Sequence, residues 1–173
     1  VLKNAYITSQ GAVRLLLENT EDFLVEKNAL ITGFGRIGKI LAKIMSSLNA
    51  DVTVSARKSQ DFAYISALGY KARNTEELRS IRGYDIVFNT VPVMIFDKEL
   101  LMNTDRNTLI IDLASLPGGV DFETAHKFTV EELEAALEKL DNVELVYFCD
   151  IIIDRAEKAA KKFGIEVAVH NHL

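Results

Sequence analysis

The chain has 173 residues, 49% hydrophobic and 26% charged, with nine Gly, two Pro and a formal charge of −5. That balance excludes disordered and collagen-like classes, and the acidic excess argues against a broad nucleic-acid-binding face. A lone cysteine, Cys149, rules out an internal disulfide and a thiolate metal cage, so a cytoplasmic setting is expected. The longest apolar stretch falls short of the roughly 20 residues that a membrane helix needs, so no membrane partner is expected either.

Short β-branched runs alternate with longer runs of helical period, the sequence form of βαβ units. Thr8 or Ser9 is placed to cap a first helix in which Ala12, Leu15, Leu16 and Asn19 share a face. Residues 29–32 read as a short buried strand. After a glycine loop, Ile37, Ile40, Leu41, Ile44, Met45 and Leu48 recur at helical spacing. A strand at 51–55 follows, then a helix at 59–68 closed by Gly69, a brief strand at 70–72, and a short helix begun by Thr75 and ended by Gly83. A strand at 85–89, a helix at 97–102 and a strand at 109–113 lead to a loop at 115–119, where Pro and paired Gly break regular structure.

Beyond that loop, Thr129 and Glu132 form a capping-box pair for a helix lined by Leu133, Ala136, Leu137 and Leu140. A strand at 143–149, a helix marked by Ala156, Ala159, Ala160 and Phe163, and a strand at 165–169 complete the chain. The fold expected is α/β, a three-layer Rossmann-like doubly wound parallel sheet. It forms a single domain over 1–173, with 1–125 the dinucleotide-binding part and 126–173 an α/β extension.

Gly33-Phe34-Gly35-Arg36-Ile37-Gly38 matches G-x-G-x-x-G between a strand and an amphipathic helix, the context that gives this motif meaning. Gly33 serves the tight turn, Gly35 lets backbone approach a pyrophosphate, and Gly38 lets helix and strand pack closely. The phosphates belong at the helix N-terminus, where free N–H groups and the dipole favour anions. At the end of the next strand, where a carboxylate would bind the ribose hydroxyls of NAD, stand Arg57, Lys58 and Ser59. A guanidinium with an ammonium and a hydroxyl beside it suits a 2′-phosphate, which favours NADP, with NAD as the alternative.

Asn89, Thr90, Val91 and Pro92 end one strand, and Ala114 and Ser115 end another, both at carboxyl ends where open α/β sheets bind ligands. Asn89, Thr90 and Ser115 can offer hydrogen bonds to ribose or carboxamide, or cap neighbouring turns. Asp112, on an apolar strand, is suited to hold loop backbone rather than to move a proton. Two imidazoles at His170 and His172 lack a third ligand, so no metal site is expected. Asp150 reads as a helix cap and His126 as a surface residue. No acid–base pair of clear spacing exists; Ser115 is the best-placed polar candidate, and the catalytic residues stay unassigned.

Several stretches are more particular than the glycine loop. They are Asn4-Ala5-Tyr6-Ile7-Thr8-Ser9-Gln10-Gly11, Glu18-Asn19-Thr20, Ser55-Ala56-Arg57, Asn89-Thr90-Val91-Pro92, and Ile110-Ile111-Asp112-Leu113-Ala114-Ser115 with Pro117-Gly118-Gly119-Val120-Asp121-Phe122. Together with the glycine loop they resemble the dipicolinate synthase family, in its A-subunit branch, over about residues 1–125. The resemblance implies an NADP-dependent oxidoreductase that converts a dihydrodipicolinate-type precursor to dipicolinate during endospore formation. It also implies a second, N-terminal domain across the cleft. A small-molecule substrate and that domain, or another polypeptide supplying it, are therefore the expected partners. The absent initiator Met agrees with a piece of a longer protein.

Residues 126–173 depart from the family. Residues 143–164 faintly resemble the second strand and helix of a glucose-fructose-oxidoreductase-type Rossmann domain. A fusion, an engineered chimera or a misassembled reading frame would each explain the seam. Two alternatives to the dipicolinate reading stay open. One is a 2-hydroxyacid- or shikimate-dehydrogenase-like enzyme, for which no catalytic His or Lys–Asp pair is identifiable. The other is a non-catalytic nucleotide-binding fragment.

Overall fold

The computed structural model describes residues 2–20, 23–105, 108–115 and 118–121, and a strand at 145–148. In chain order the elements are α1 (Leu2–Glu18), β1 (Asn28–Thr32), α2 (Arg36–Ser47), β2 (Asp51–Ala56), α3 (Ser59–Ala67) and β3 (Lys71–Asn74). A single 3₁₀ turn (Thr75–Glu77) precedes β4 (Ile86–Asn89), α4 (Lys98–Met102), β5 (Leu109–Asp112) and β6 (Leu145–Phe148). The strands form one sheet in the order β3-β2-β1-β4-β5-β6, all neighbours parallel.

Side-chain alternation along the strands supplies two apolar faces, as a parallel sheet covered on both sides requires. Ala29, Ile31, Val54, Phe88 and Ile111 join one core with Ala12 and Leu16 of α1, Leu41 and Met45 of α2 and Ile65 of α3. Leu30, Val87 and Ile110 point the other way and meet Leu100 and Leu101 of α4, Ile81, Phe96 and Val120. The result is three layers. The strand order runs outward in both directions from the β1/β4 boundary, and at such a reversal the connecting segments part and leave a crevice above the carboxyl ends of the strands.

Three expectations change in detail. Thr8 and Ser9 do not cap α1, which already starts at Leu2. Their hydroxyls donate back to Asn4 O at 3.0 Å and Ala5 O at 2.8 Å, four residues earlier, so they sit inside the helix. The helix begun at Thr75 lasts three residues, capped by the Asn74 side chain accepting from Glu76 N, and Gly83 does not end it. Gly83, at φ +81°, instead turns the chain into β4. Finally, β3 lies at Lys71–Asn74 rather than 70–72 because its partner β2 runs on to Ala56, which pairs with Asn74. Gly69 closes α3 at φ +84°, as expected. The helices around 129–140 and 156–163, the strand at 165–169, His126, Asp150, His170 and His172 lie outside the described residues. The strand expected at 143–149 is represented by β6.

Candidate functional site

The loop after β1 opens the crevice. Gly33 has φ +94°, a conformation that L side chains rarely adopt, and its N–H donates to Ser55 O at 2.9 Å. A Cβ there would lie 2.6 Å from Thr90 Oγ1 and 2.8 Å from Val91 Cγ2, so the β1 and β4 loops touch at this point. A Cβ on Gly38 would lie 2.1 Å from Gly33 O, so the first turn of α2 presses on the loop backbone. Gly35 differs from both. Its φ is an ordinary −79°, and a Cβ there would meet nothing within 4 Å. Neither its backbone nor its packing calls for glycine; it leaves room at the start of α2, where no side chain caps the helix. That room is the fit a pyrophosphate would need.

Around this gap the motif residues divide. Arg36 is exposed, whereas Ile37 packs against the core and Phe34 is only 8% exposed, within that core. The Phe34 ring lies 5.8 Å from that of Tyr64, and the Lys39 ammonium sits 4.8 Å and 5.5 Å above the two rings. Phe34 and Ile37 therefore offer the crevice backbone more than side chain. Arg57, Lys58 and Ser59, directly after β2, are all exposed. Lys58 is the N-cap residue of α3 but makes no capping bond through its side chain.

Across the crevice lies a row of polar residues at one register. Ser55, Thr32, Asn89 and Asp112 are paired strand to strand, and none is more than 1% exposed. They continue the face of Leu30, Val87 and Ile110 by two residues, so the row caps the apolar layer. Thr32 Oγ1 donates to Asn89 Oδ1 at 2.5 Å, and Asn89 Nδ2 donates to Asp112 Oδ1 at 2.9 Å and Val91 O at 3.2 Å. Thr75 Oγ1 donates to Ser55 Oγ at 3.0 Å. Asp112 also accepts Ala114 N at 3.0 Å and Gly119 N at 3.3 Å. Burial raises its pKa above the ordinary 3.8, against the pull of these hydrogen bonds.

The expected site residues thus play unequal parts. Asn89 is wholly engaged within the protein and braces the loop it begins; Thr90 does likewise, its Oγ1 donating to Thr32 O at 2.7 Å. Val91 is half-buried, Pro92 and Ser115 face solvent, and Ala114 is buried. Asp112 holds loop backbone, as its sequence setting implied. The part of Thr32 was not legible locally, since only strand register brings it to Asn89, and Gly119 reads in the sequence as a loop glycine, without its hydrogen bond to Asp112. Among the described residues no group of three or more His, Cys, Asp and Glu side chains could hold a metal ion, and no helix is long and apolar enough to cross a membrane.

Residues 27–115, just over half of the chain, match the family described as NADP oxidoreductase coenzyme F420-dependent. The A subunit of dipicolinate synthase from Bacillus subtilis (strain 168) is 35% identical over 133 residues, 76% of this chain and 45% of that protein. The crystal structure of that Bacillus subtilis protein superposes with a TM-score of 0.67 at 35% identity, covering 72% of this chain and 42% of that one. Its Bacillus halodurans counterpart gives 0.67 at 30% identity, covering 75% and 45%. A transhydrogenase from Sinorhizobium meliloti, at 17% identity and a TM-score of 0.60 over 69% of this chain and 42% of that one, shares the fold. The chain spans less than half the length of each of these relatives. With a parallel sheet reversing at β1/β4 and a glycine loop at the reversal, the chain belongs to the NADP oxidoreductase coenzyme F420-dependent family and is similar over 133 residues to the A subunit of dipicolinate synthase.

Proposed function

We propose that this chain is the NADP-binding domain of an oxidoreductase that oxidises a dihydrodipicolinate-type precursor to dipicolinate. The observation that carries the reading is the gap at Gly35, open at the uncapped start of α2 and served by a loop whose other two glycines are required by contact. The α2 N-terminus and the backbone of Gly33 to Gly38 would hold the pyrophosphate. Arg57, Lys58 and Ser59 would hold the 2′-phosphate, and Thr90, Val91, Pro92, Ala114 and Ser115 would border the nicotinamide half. Bound there, the nicotinamide supplies the hydride acceptor.

The chain's own part is placement. No residue of the site is arranged as an acid–base pair, so the proton released on oxidation leaves through water or through a group outside the described residues. Because the matched residues make up less than half of the relatives' length, we assign the rest of the substrate cleft to a second domain or to a partner polypeptide. The same reading implies a role in spore formation and a cytoplasmic setting. Residues 126–173 are assigned to the same domain, an assignment supported by β6 pairing beside β5.

Titration calorimetry at one fixed salt concentration tests the cofactor. NADP(H) should bind more tightly than NAD(H), and equal affinities would remove the phosphate clamp. Steady-state turnover with NADP and a dihydrodipicolinate precursor tests the reaction; binding without turnover would leave a cofactor domain that needs its partner.

A further inference from the structure

Asp112 is a buried carboxylate that the proposed chemistry does not use, yet it is the node of the polar row. One oxygen takes Asn89 Nδ2 and Ala114 N; the other takes Gly119 N. Asn89 in turn binds Thr32 Oγ1 and both the N–H and the carbonyl of Val91. The ends of β1, β4 and β5 and the returning segment at 118–121 are thereby tied together through two side chains. Gly119 is drawn in so far that a Cβ would lie 2.0 Å from Asn89 Nδ2 and 2.7 Å from Val91 O. Its carbonyl accepts from both Ile95 N and Phe96 N, which fixes the far end of the loop after β4. No buried side-chain nitrogen or oxygen among the described residues lacks a partner, so the network is closed.

We infer that Asp112 is a positioning residue: through Asn89, Ala114 and Gly119 it sets residues 89–92 on one side and Ala114, Ser115, Gly118 and Gly119 on the other, between which the nicotinamide half of a dinucleotide would lie. The inference rests on the cofactor reading above and deepens it. The pyrophosphate gap and the cations after β2 lie on the other side of the reversal and make none of these bonds. Loss of Asp112 therefore separates the two halves of the ligand. In Asp112→Asn, an NH₂ group must face either Gly119 N–H or the Asn89 and Ala114 donors, so at least one loop is released.

The experiment measures affinity for two probes, whole NADP and the adenosine-side fragment 2′,5′-ADP, by calorimetry. Asp112→Asn should weaken NADP roughly tenfold while leaving 2′,5′-ADP within about twofold. The oxidised and reduced dinucleotides should suffer equally, since the effect runs through the displaced loops and not through the charge of the carboxyl group. Gly119→Ala, which displaces the same loop from outside the sheet, should reproduce the split and decides the matter if Asp112→Asn does not fold. Equal loss of both probes, loss of neither, or loss confined to oxidised NADP would overturn the inference. Failure of the unmodified chain to bind either probe would overturn the cofactor reading and this inference with it; binding of both, without the split, would overturn this inference alone.

Discussion

At the glycine loop the crevice is made by what is missing: Gly35 has no neighbour within 4 Å of where a Cβ would stand, α2 has no side-chain cap, and Arg57 and Lys58 reach into solvent. At the ends of β4 and β5 it is made by satisfaction, with Asn89 and Asp112 buried and bonded on every side the structure shows. The first half has unspent hydrogen-bond donors and charge, which a phosphate can use. The second, at Asn89 and Asp112, has none to spare and contributes chiefly shape and stiffness, with the exposed Ser115 beside them. Affinity should therefore reside mainly at the glycine loop, and orientation at the β4 and β5 ends.

The sharpest break in that contrast comes from two glycines three residues apart. Gly35→Val should lower dinucleotide affinity by roughly 100-fold, about 2.7 kcal/mol, because the side chain fills the phosphate space. Its cost to folding should stay within about 1 kcal/mol, since only an N-cap preference is lost. Gly38→Ala should do the opposite kind of damage: a Cβ 2.1 Å from Gly33 O forces α2 off β1. A loss of about 1–3 kcal/mol in stability is expected from such overpacking. Urea melts beside calorimetric titrations separate the two. Undiminished affinity in a folded Gly35→Val protein would show that the gap is not the phosphate site.

These two glycines also mark how far the sequence could be read. The strand-to-helix change of period around Gly33, Gly35 and Gly38 is local, so the loop, its helix and the doubly wound parallel sheet built from βαβ units were all legible. The Thr32–Asn89–Asp112 row was not, because its members stand 57 and 23 residues apart and meet only through strand order and register. Asn89 accordingly looked like a cofactor ligand from its place at a strand end, although its hydrogen bonds are taken up within the protein. Thr8 and Ser9 misled for a related reason: a hydroxyl that bonds the carbonyl four residues back has the same composition signal as one that caps a helix.

A smaller effect tests the charged side of the comparison. Arg57 and Lys58 are exposed and gain from a ligand only if it brings a phosphate to them. Arg57→Asp should cut the preference for NADP over NAD by roughly tenfold, about 1.4 kcal/mol, or reverse it, through repulsion at the 2′-phosphate. Stability should be unaffected, because an exposed side chain at the end of a strand is being exchanged. If the preference survived the change, the 2′-phosphate would have to be read elsewhere, and Lys39, held over Phe34 and Tyr64 at the start of α2, would be the next residue to replace.

The smallest expected effect probes the braced side, and its sign is informative. Burial holds the Asp112 carboxyl above the ordinary 3.8, while Ala114 N, Asn89 Nδ2 and Gly119 N pull it the other way. With burial the larger influence, the native chain keeps a proton at pH values where the unfolded chain has released it. As pH rises from about 3.8 through the native value, the unfolded state binds fewer protons than the native state, so this group's contribution to stability falls. Asp112→Asn cannot titrate there. The stability of the unmodified chain minus that of the variant should therefore be greatest at the acid end, shrink as pH rises, and level off once the native carboxyl is ionised. Urea denaturation of both proteins across that range measures it. A difference that grew with pH would mean that the three donors outweigh burial and hold an ionised carboxylate, making the β4 and β5 ends an anion site already filled by the protein's own side chain.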